Sequence, residues 1–241
     1  MLLPRSLVAA LSSMSIADNL KTVRDRIADA AGRAGRDPLS VKLVVVTKTI
    51  DVERIREAVA AHATILGENR VQEAREKIEK LGPVAHWHLI GHLQTNKARY
   101  AVRLFDMIHS VDSPELAKEL DKQAAKISKK QDVLIEVNIA GEASKAGVSM
   151  RDLPDLVREA AKLEHIAIKG LMTMPPLLDD PEALRPYFRK LRELAAGIAG
   201  EKIPGVSMQE LSMGMSGDFE TAVEEGATMV RVGTAIFGGR R

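Results

Sequence analysis

VKLVVVTK, Val41–Lys48, is a run of β-branched and apolar residues closed by a lysine. It reads as a buried strand opening a parallel sheet. Two architectures take such a strand: an open doubly wound sheet or a closed barrel. The doubly wound sheet needs a Gly-rich phosphate loop after its first strand, and no GxGxxG follows Lys48. The lysine itself has two readings. One is a surface residue just past the strand end, where lysines mostly lie. The other is an amine at a buried strand end, disfavoured as an ammonium once desolvated and suited to Schiff-base chemistry.

Outward from this run the chain alternates. Further strands are expected over Thr64–Glu68, His86–Ile90, Met107–Val111, Asp132–Asn138, Ala167–Thr173, Glu210–Met213 and Met229–Val232. Helices are expected between them, over Val52–Ala61, Gln72–Leu81, Asn96–Arg103, Pro114–Ser128, Leu153–Leu163, Pro181–Ala199 and Asp218–Glu225. Asp112-Ser113-Pro114 places a capping side chain before a first-turn proline, and Gly217-Asp218 opens another helix. Before the alternation, Ile16, Leu20, Val23 and Ile27 recur at helical spacing and predict a helix over Ser15–Ala34. Eight strands alternating with helices in 241 residues predict a single (β/α)8 TIM barrel over residues 15–241 with an additional N-terminal helix. Residues 1–14 read as a poorly ordered extension: Leu7–Leu11 is too short to span a membrane and makes a weak signal peptide. Translation from Met1 or from Met14 fits this segment equally.

Composition narrows the chemistry. The 35 basic and 33 acidic residues nearly balance, and no basic stripe interleaved with aromatics marks a nucleic-acid surface. No cysteine is present, which removes disulfides, thiolate nucleophiles and Cys-based metal sites. Aromatics are 3%, so the core must be aliphatic. The expectation is a cytoplasmic monomer with no nucleic-acid or membrane partner.

A barrel carries its chemistry at the C-terminal ends of its strands. There stand Lys48, Asn69, His88, His92, His109, Asn138, Met172, Met174, the loop SMGMSGD (Ser212–Asp218), and Arg231, Gly233 and Thr234 in RVGTAIFG. One amine, one guanidinium and several small hydroxyl and glycine positions suit a phosphorylated ligand with a carbonyl. SMGMSGD before a helix reads as an anion site or as a plain capped loop; a second small-residue turn after the last strand favours the anion. If Val230 and Val232 face the helices, Arg231 faces the lumen. It then needs either a carboxylate such as Glu136 or Glu210, or a bound ligand. The HxH pair His86 and His88 suits a metal-dependent hydrolase, but no acidic ligand completes it, and hydrogen-bonded histidines are the plainer reading. Trp87, on the opposite face, packs against helices. The methionines near the strand ends read first as core filler.

Taken together, VVVTK, GENRVQE, WHLIGHLQTNK, VNIAGEASKAGV, GLMTM and ELSMGMSGDFETAVEEGATMVRVGTAIFG resemble the pyridoxal phosphate homeostasis protein family, itself similar to the barrel domain of alanine racemase. The segments run from about residue 41 to 238. The resemblance implies that Lys48 holds pyridoxal 5′-phosphate as a covalent aldimine. Ser212, Ser216, Gly233 and Thr234 would surround the phosphate, Arg231 would approach the pyridine nitrogen, Asn69 would line the ring, and Met213 would lie nearby. It implies a carrier in vitamin B6 homeostasis that passes the cofactor to apo-enzymes without substantial turnover. An arginine facing the ring nitrogen disfavours its protonation and weakens the ring as an electron sink. Racemisation also needs a second base, a role filled in alanine racemase by a tyrosine of a further domain. Tyr100 and Tyr187 lie in or near predicted helices instead. A weak amino-acid racemase is the alternative, and a metal-dependent barrel hydrolase a distant third.

Overall fold

The computed structural model describes residues 15–142 and 145–239; the expected extension over residues 1–14 lies outside the described residues. Helix α1 (Ile16–Arg33) starts where a capping box forms: the Ser15 hydroxyl accepts from the Asp18 amide, and Asp18 accepts from the Ser15 amide. The chain then runs through β1 (Lys42–Val46), α2 (Val52–Ala60), β2 (Ile65–Glu68), α3 (Val71–Leu81), β3 (His86–Leu89), α4 (Ala98–Leu104), β4 (Met107–Val111) and α5 (Pro114–Ala125). It continues through β5 (Gln131–Asn138), β6 (Val148–Ser149), α6 (Leu153–Ala160), β7 (Ile166–Met172), α7 (Arg185–Gly200), β8 (Val206–Ser212), α8 (Phe219–Glu224), β9 (Met229–Val232) and α9 (Thr234–Phe237).

All strand pairings are parallel, in the order β4-β3-β2-β1-β9-β8-β7-β5, and β4 pairs with β5 to close the ring. The fold is the expected (β/α)8 barrel. The pleat separates two apolar layers. Val44, Val46, Ile90, Met107, Leu134, Met172 and Met229 fill the lumen. Val45, Leu66, Trp87, Leu89, Ile108, Val133, Ile135, Val230 and Val232 face the helices. Period-two alternation sorts the two sets, so the side on which each strand-end residue emerges is set several residues earlier. Helix α1 packs on α8 and α9, tied by Arg26–Glu220 and Arg33–Glu224 ion pairs, both 2.7 Å, and by Asn19 Nδ2 donating to the Ile236 carbonyl.

Several boundaries differ from the sequence reading. Strand β1 ends at Val46, because the Thr47 carbonyl accepts from the Ile50 amide and turns the chain; Lys48 is thus a turn residue. The expected helix over Pro181–Ala199 divides into a 3-10 turn (Pro181–Leu184) and α7, with Pro186 in the first turn of α7, where its missing amide costs nothing. Strand β8 begins four residues earlier than expected. Its first half is only partly buried, and ladder bonds to β7 define it instead. Gly170 permits that approach, since a Cβ there would lie 1.8 Å from the Glu210 carbonyl oxygen. The short elements β6 and α9 carry no periodicity and were not expected. Among the described residues no helix is long and apolar enough to cross a membrane.

Candidate functional site

The barrel mouth is built from the turns after β1, β2, β8 and β9. Val44 and Val46 point inward and Thr47 outward, and the same alternation carries Lys48 to the mouth, where it is half-buried. Asn69 follows β2 and is also half-buried; its backbone lies against Gly91, where a Cβ would meet the Asn69 carbonyl oxygen at 2.6 Å.

The two small-residue loops meet. Ser216 Oγ accepts from the amides of Gly233 and Ala235, both at 3.3 Å. With its lone pairs so used, the Ser216 hydroxyl hydrogen is left to donate. The Thr234 amide, in the first turn of α9, has no intrahelical acceptor. Gly233 passes close to β1: a Cβ there would sit 3.2 Å from both Cβ and O of Val46. Gly214, at φ +90, accepts from the Arg231 amide and closes the first loop; a Cβ there would lie 2.6 Å from Ala222 Cβ. Asp218 occupies the cap position of α8, but its carboxylate turns back to the Met215 amide instead of capping the helix.

Deeper in the lumen lies a polar chain drawn from four strands. Arg231, 4% exposed, donates from Nη1 to Ser212 Oγ at 2.7 Å and from Nη2 to the Thr173 carbonyl at 2.9 Å. His109 Nδ1 lies 3.0 Å from Ser212 Oγ, and His109 Nε2 lies 2.9 Å from His88 Nδ1. Ser212 has no other acceptor beside it among the described residues, so its hydrogen goes to His109. The His109 proton is therefore on Nε2 and points to His88. Burial keeps both imidazoles neutral: His88 is lowered to about 4, and His109, with His88 and Arg231 adding to its burial, well below its usual value. Burial likewise lowers Arg231 to about 10, opposed by the carboxyls of Glu136 and Asp218.

No carboxylate lies within ion-pairing distance of Arg231 among the described residues. Glu210 faces away and pairs with Lys42. Glu136 is buried with Oε2 lacking any partner, and desolvation, with Asp112 adding to it, pushes its carboxyl up to about 7. A buried guanidinium held only by neutral acceptors, beside an orphaned carboxyl oxygen, leaves donor capacity for a ligand.

The sequence-chosen residues are thus only partly gathered. Lys48, Asn69, Ser216, Gly233 and Thr234 border the mouth, and Arg231 reaches it from below. Ser212 spends its hydroxyl inside the lumen. Met213 is fully buried in the outer layer, on the opposite side of the sheet from the lumen. His86 is exposed near Asp106, and His92 lies 3.6 Å from Asp112. No group of three or more His, Asp or Glu suited to a metal occurs among the described residues. Tyr100 and Tyr187 lie on α4 and α7 against the outer layer. Glu136, expected in the lumen as a candidate partner of Arg231, lies there without an ion-pair partner, and Glu210, the other carboxylate expected there, does not face the lumen.

The fold and site are those of a parallel barrel with an amine at its mouth, two joined small-residue loops and a lumen arginine, and the family match sets it among barrels related to alanine racemase. The family described as "Alanine racemase, N-terminal domain" matches residues 15–241. The chain belongs to this family and, within it, to the pyridoxal phosphate homeostasis proteins. It is 47% identical to the pyridoxal phosphate homeostasis protein of Aquifex aeolicus, over 95% of this chain and all of that one. It is 41% identical to the Escherichia coli K12 protein of the same name, over 93% of this chain and 97% of that one. Among solved structures, PipY of Synechococcus elongatus with PLP bound superimposes with a TM-score of 0.82 at 39% identity, covering 93% of this chain and all of that one. Alanine racemase of Clostridium difficile shares the fold at TM-score 0.70 and 18% identity, over 92% of this chain and 57% of that one.

Proposed function

We propose that this protein binds pyridoxal 5′-phosphate through Lys48 and serves vitamin B6 homeostasis as a carrier without substantial turnover. The observation that carries the reading is Arg231: a buried guanidinium with two neutral acceptors and no ion-pair partner, below a mouth that holds an amine and an anion seat. The kinship with PLP homeostasis proteins and with PLP-bound PipY supports the choice of ligand. When bound, the cofactor supplies an aldehyde, an aromatic ring and a phosphate. Lys48 would hold the cofactor by its amine, the group at the mouth suited to an aldehyde. The Ser216 hydroxyl and the amide edge at Gly233-Thr234 would receive the phosphate, and Asn69 would border the ring. Ser212, itself held by His109, keeps Arg231 in place, where it would donate toward the ring nitrogen and disfavour ring protonation.

The carrier reading rests on that arginine and on the tyrosines, which stand on helices outside the barrel. The protein acts in the cytoplasm, as a monomer over residues 15–241, handing its cofactor to apo-enzymes. The test incubates the loaded protein with single amino-acid enantiomers and with an apo-enzyme acceptor. Chiral analysis should find negligible conversion, and the acceptor should gain activity. Sustained conversion at ordinary enzyme rates, ~1–10³ s⁻¹, abolished by Lys48→Ala, would establish the racemase alternative.

A further inference from the structure

Behind Lys48, on the helix side of the barrel wall, lies a buried charge cluster with no part in the site described above. Lys77 on α3 has a side chain only 8% exposed. Its ammonium makes three hydrogen bonds: to the Thr47 carbonyl at 2.6 Å, to Glu68 Oε1 at 2.7 Å and to Glu73 Oε1 at 2.6 Å. All three protons are spent. Two of the acceptors grip the chain on either side of Lys48. The Thr47 hydroxyl donates to the same Glu68 oxygen at 2.6 Å. The Thr49 amide donates to the same Glu73 oxygen at 2.6 Å. Thr49 sits at φ +64, an unusual conformation for a β-branched residue, and the turn that holds it is closed by the Ile50 amide on the Thr47 carbonyl. Thr47 is anchored through its hydroxyl and carbonyl and Thr49 through its amide, while the Lys48 side chain enters none of these bonds.

We infer that Lys77, tethered by Glu68 and Glu73, is a positioning residue that fixes the strained turn from outside the barrel and so aims the Lys48 amine into the mouth. The inference rests on the reading of Lys48 as the attachment residue. The cluster touches neither the anion seat nor Arg231, so it acts on the direction of the amine and not on the affinity of the pocket. Strain at Thr49 persists because Glu73 holds its amide; with that acceptor gone, the turn relaxes and the amine samples unproductive directions.

The test uses the full chain and two probes: pyridoxal 5′-phosphate, and pyridoxine 5′-phosphate, which lacks the aldehyde. Lys77→Met removes the centre of the cluster. Glu73→Ala, at a partly exposed side chain, spares the core should the first variant fold poorly, and Glu73→Gln restores the acceptor. Loss of orientation should slow attachment to Lys48 about tenfold or more in Lys77→Met and Glu73→Ala. Pyridoxine 5′-phosphate should bind all variants as it binds the wild type, and Glu73→Gln should attach at close to the wild-type rate. Unslowed attachment, or equal weakening of both probes, overturns the inference and leaves the function standing. Wild-type attachment at a residue other than Lys48 overturns both.

Discussion

Arg231 shows how little of a residue's role its type decides. Its guanidinium points inward because Val230 and Val232 point outward, and it stays a donor because its acceptors, Ser212 and the Thr173 carbonyl, are neutral. Truncating Ser212 to Ala removes a hydrogen bond to a charged group, worth about 1.5–3 kcal/mol. Chemical denaturation of the apo-protein should show a loss of that order, and an unchanged midpoint would contradict the chain of donors. Glu136 gives a pH-dependent prediction. Its carboxyl is raised from the usual 4.5 to about 7, so the folded state binds this proton more tightly than the unfolded one. Its effect on stability is therefore nil below pH 4.5, grows more unfavourable as pH rises to about 7, and is constant above. Glu136→Gln should match the wild type near pH 4 and be more stable at pH 8 by up to about 3 kcal/mol. A stability difference independent of pH would remove Glu136 as the titrating group.

At the scale of elements, the proposed anion seat depends on two loops brought together by β8 and β9. Ser216 joins them through the amides of Gly233 and Ala235, and Gly233 passes too close to Val46 for a larger residue to fit without displacement. Pyridoxal should therefore bind orders of magnitude more weakly than its 5′-phosphate, since each lost charge-assisted hydrogen bond is worth about 1.5–3 kcal/mol. Gly233→Ala should narrow that preference by pushing the α9 amides away from the seat. Titrating both aldehydes against both proteins checks this, and equal affinities for the wild type would contradict the seat. These loops were legible in the sequence as two glycine- and serine-bearing turns after the last strands. The direction of each side chain within them was not. Ser212 and Met213 are neighbours, yet pleating sends the serine hydroxyl into the lumen and the methionine into the outer layer. Leu211 and Met213 share one parity and Ser212 the other, but which of the two faces the lumen is settled only when β8 pairs with β7. Lys77 was equally hidden: in QEAREKIEK it reads as one more solvated helix lysine, and only the packing of α3 on β2 buries it.

For the whole molecule, the alternation of strands and helices from Val41 onward was enough to read the barrel, because every strand needs a buried inner face and a helix-covered outer one. The lumen chain was not legible. Its members come from β3, β4, β8 and β9, and only closure of the ring between β4 and β5 brings them within hydrogen-bond distance. Closure also predicts cooperative unfolding. Trp87 is the single tryptophan and lies buried between sheet and helices, so it reports on the outer layer of the whole ring. Its fluorescence and the far-UV circular dichroism should lose their native values at one denaturant midpoint. Separate midpoints would divide residues 15–241 into more than one unit. The proposed function puts an aldehyde cofactor on an amine at the mouth of a closed barrel, above a buried arginine. Its most direct test is borohydride reduction of the loaded protein, followed by proteolysis and mass mapping of the pyridoxyl group. The label should fall on Lys48 and vanish in Lys48→Ala. A label distributed over surface lysines, or unchanged in that variant, would contradict the account.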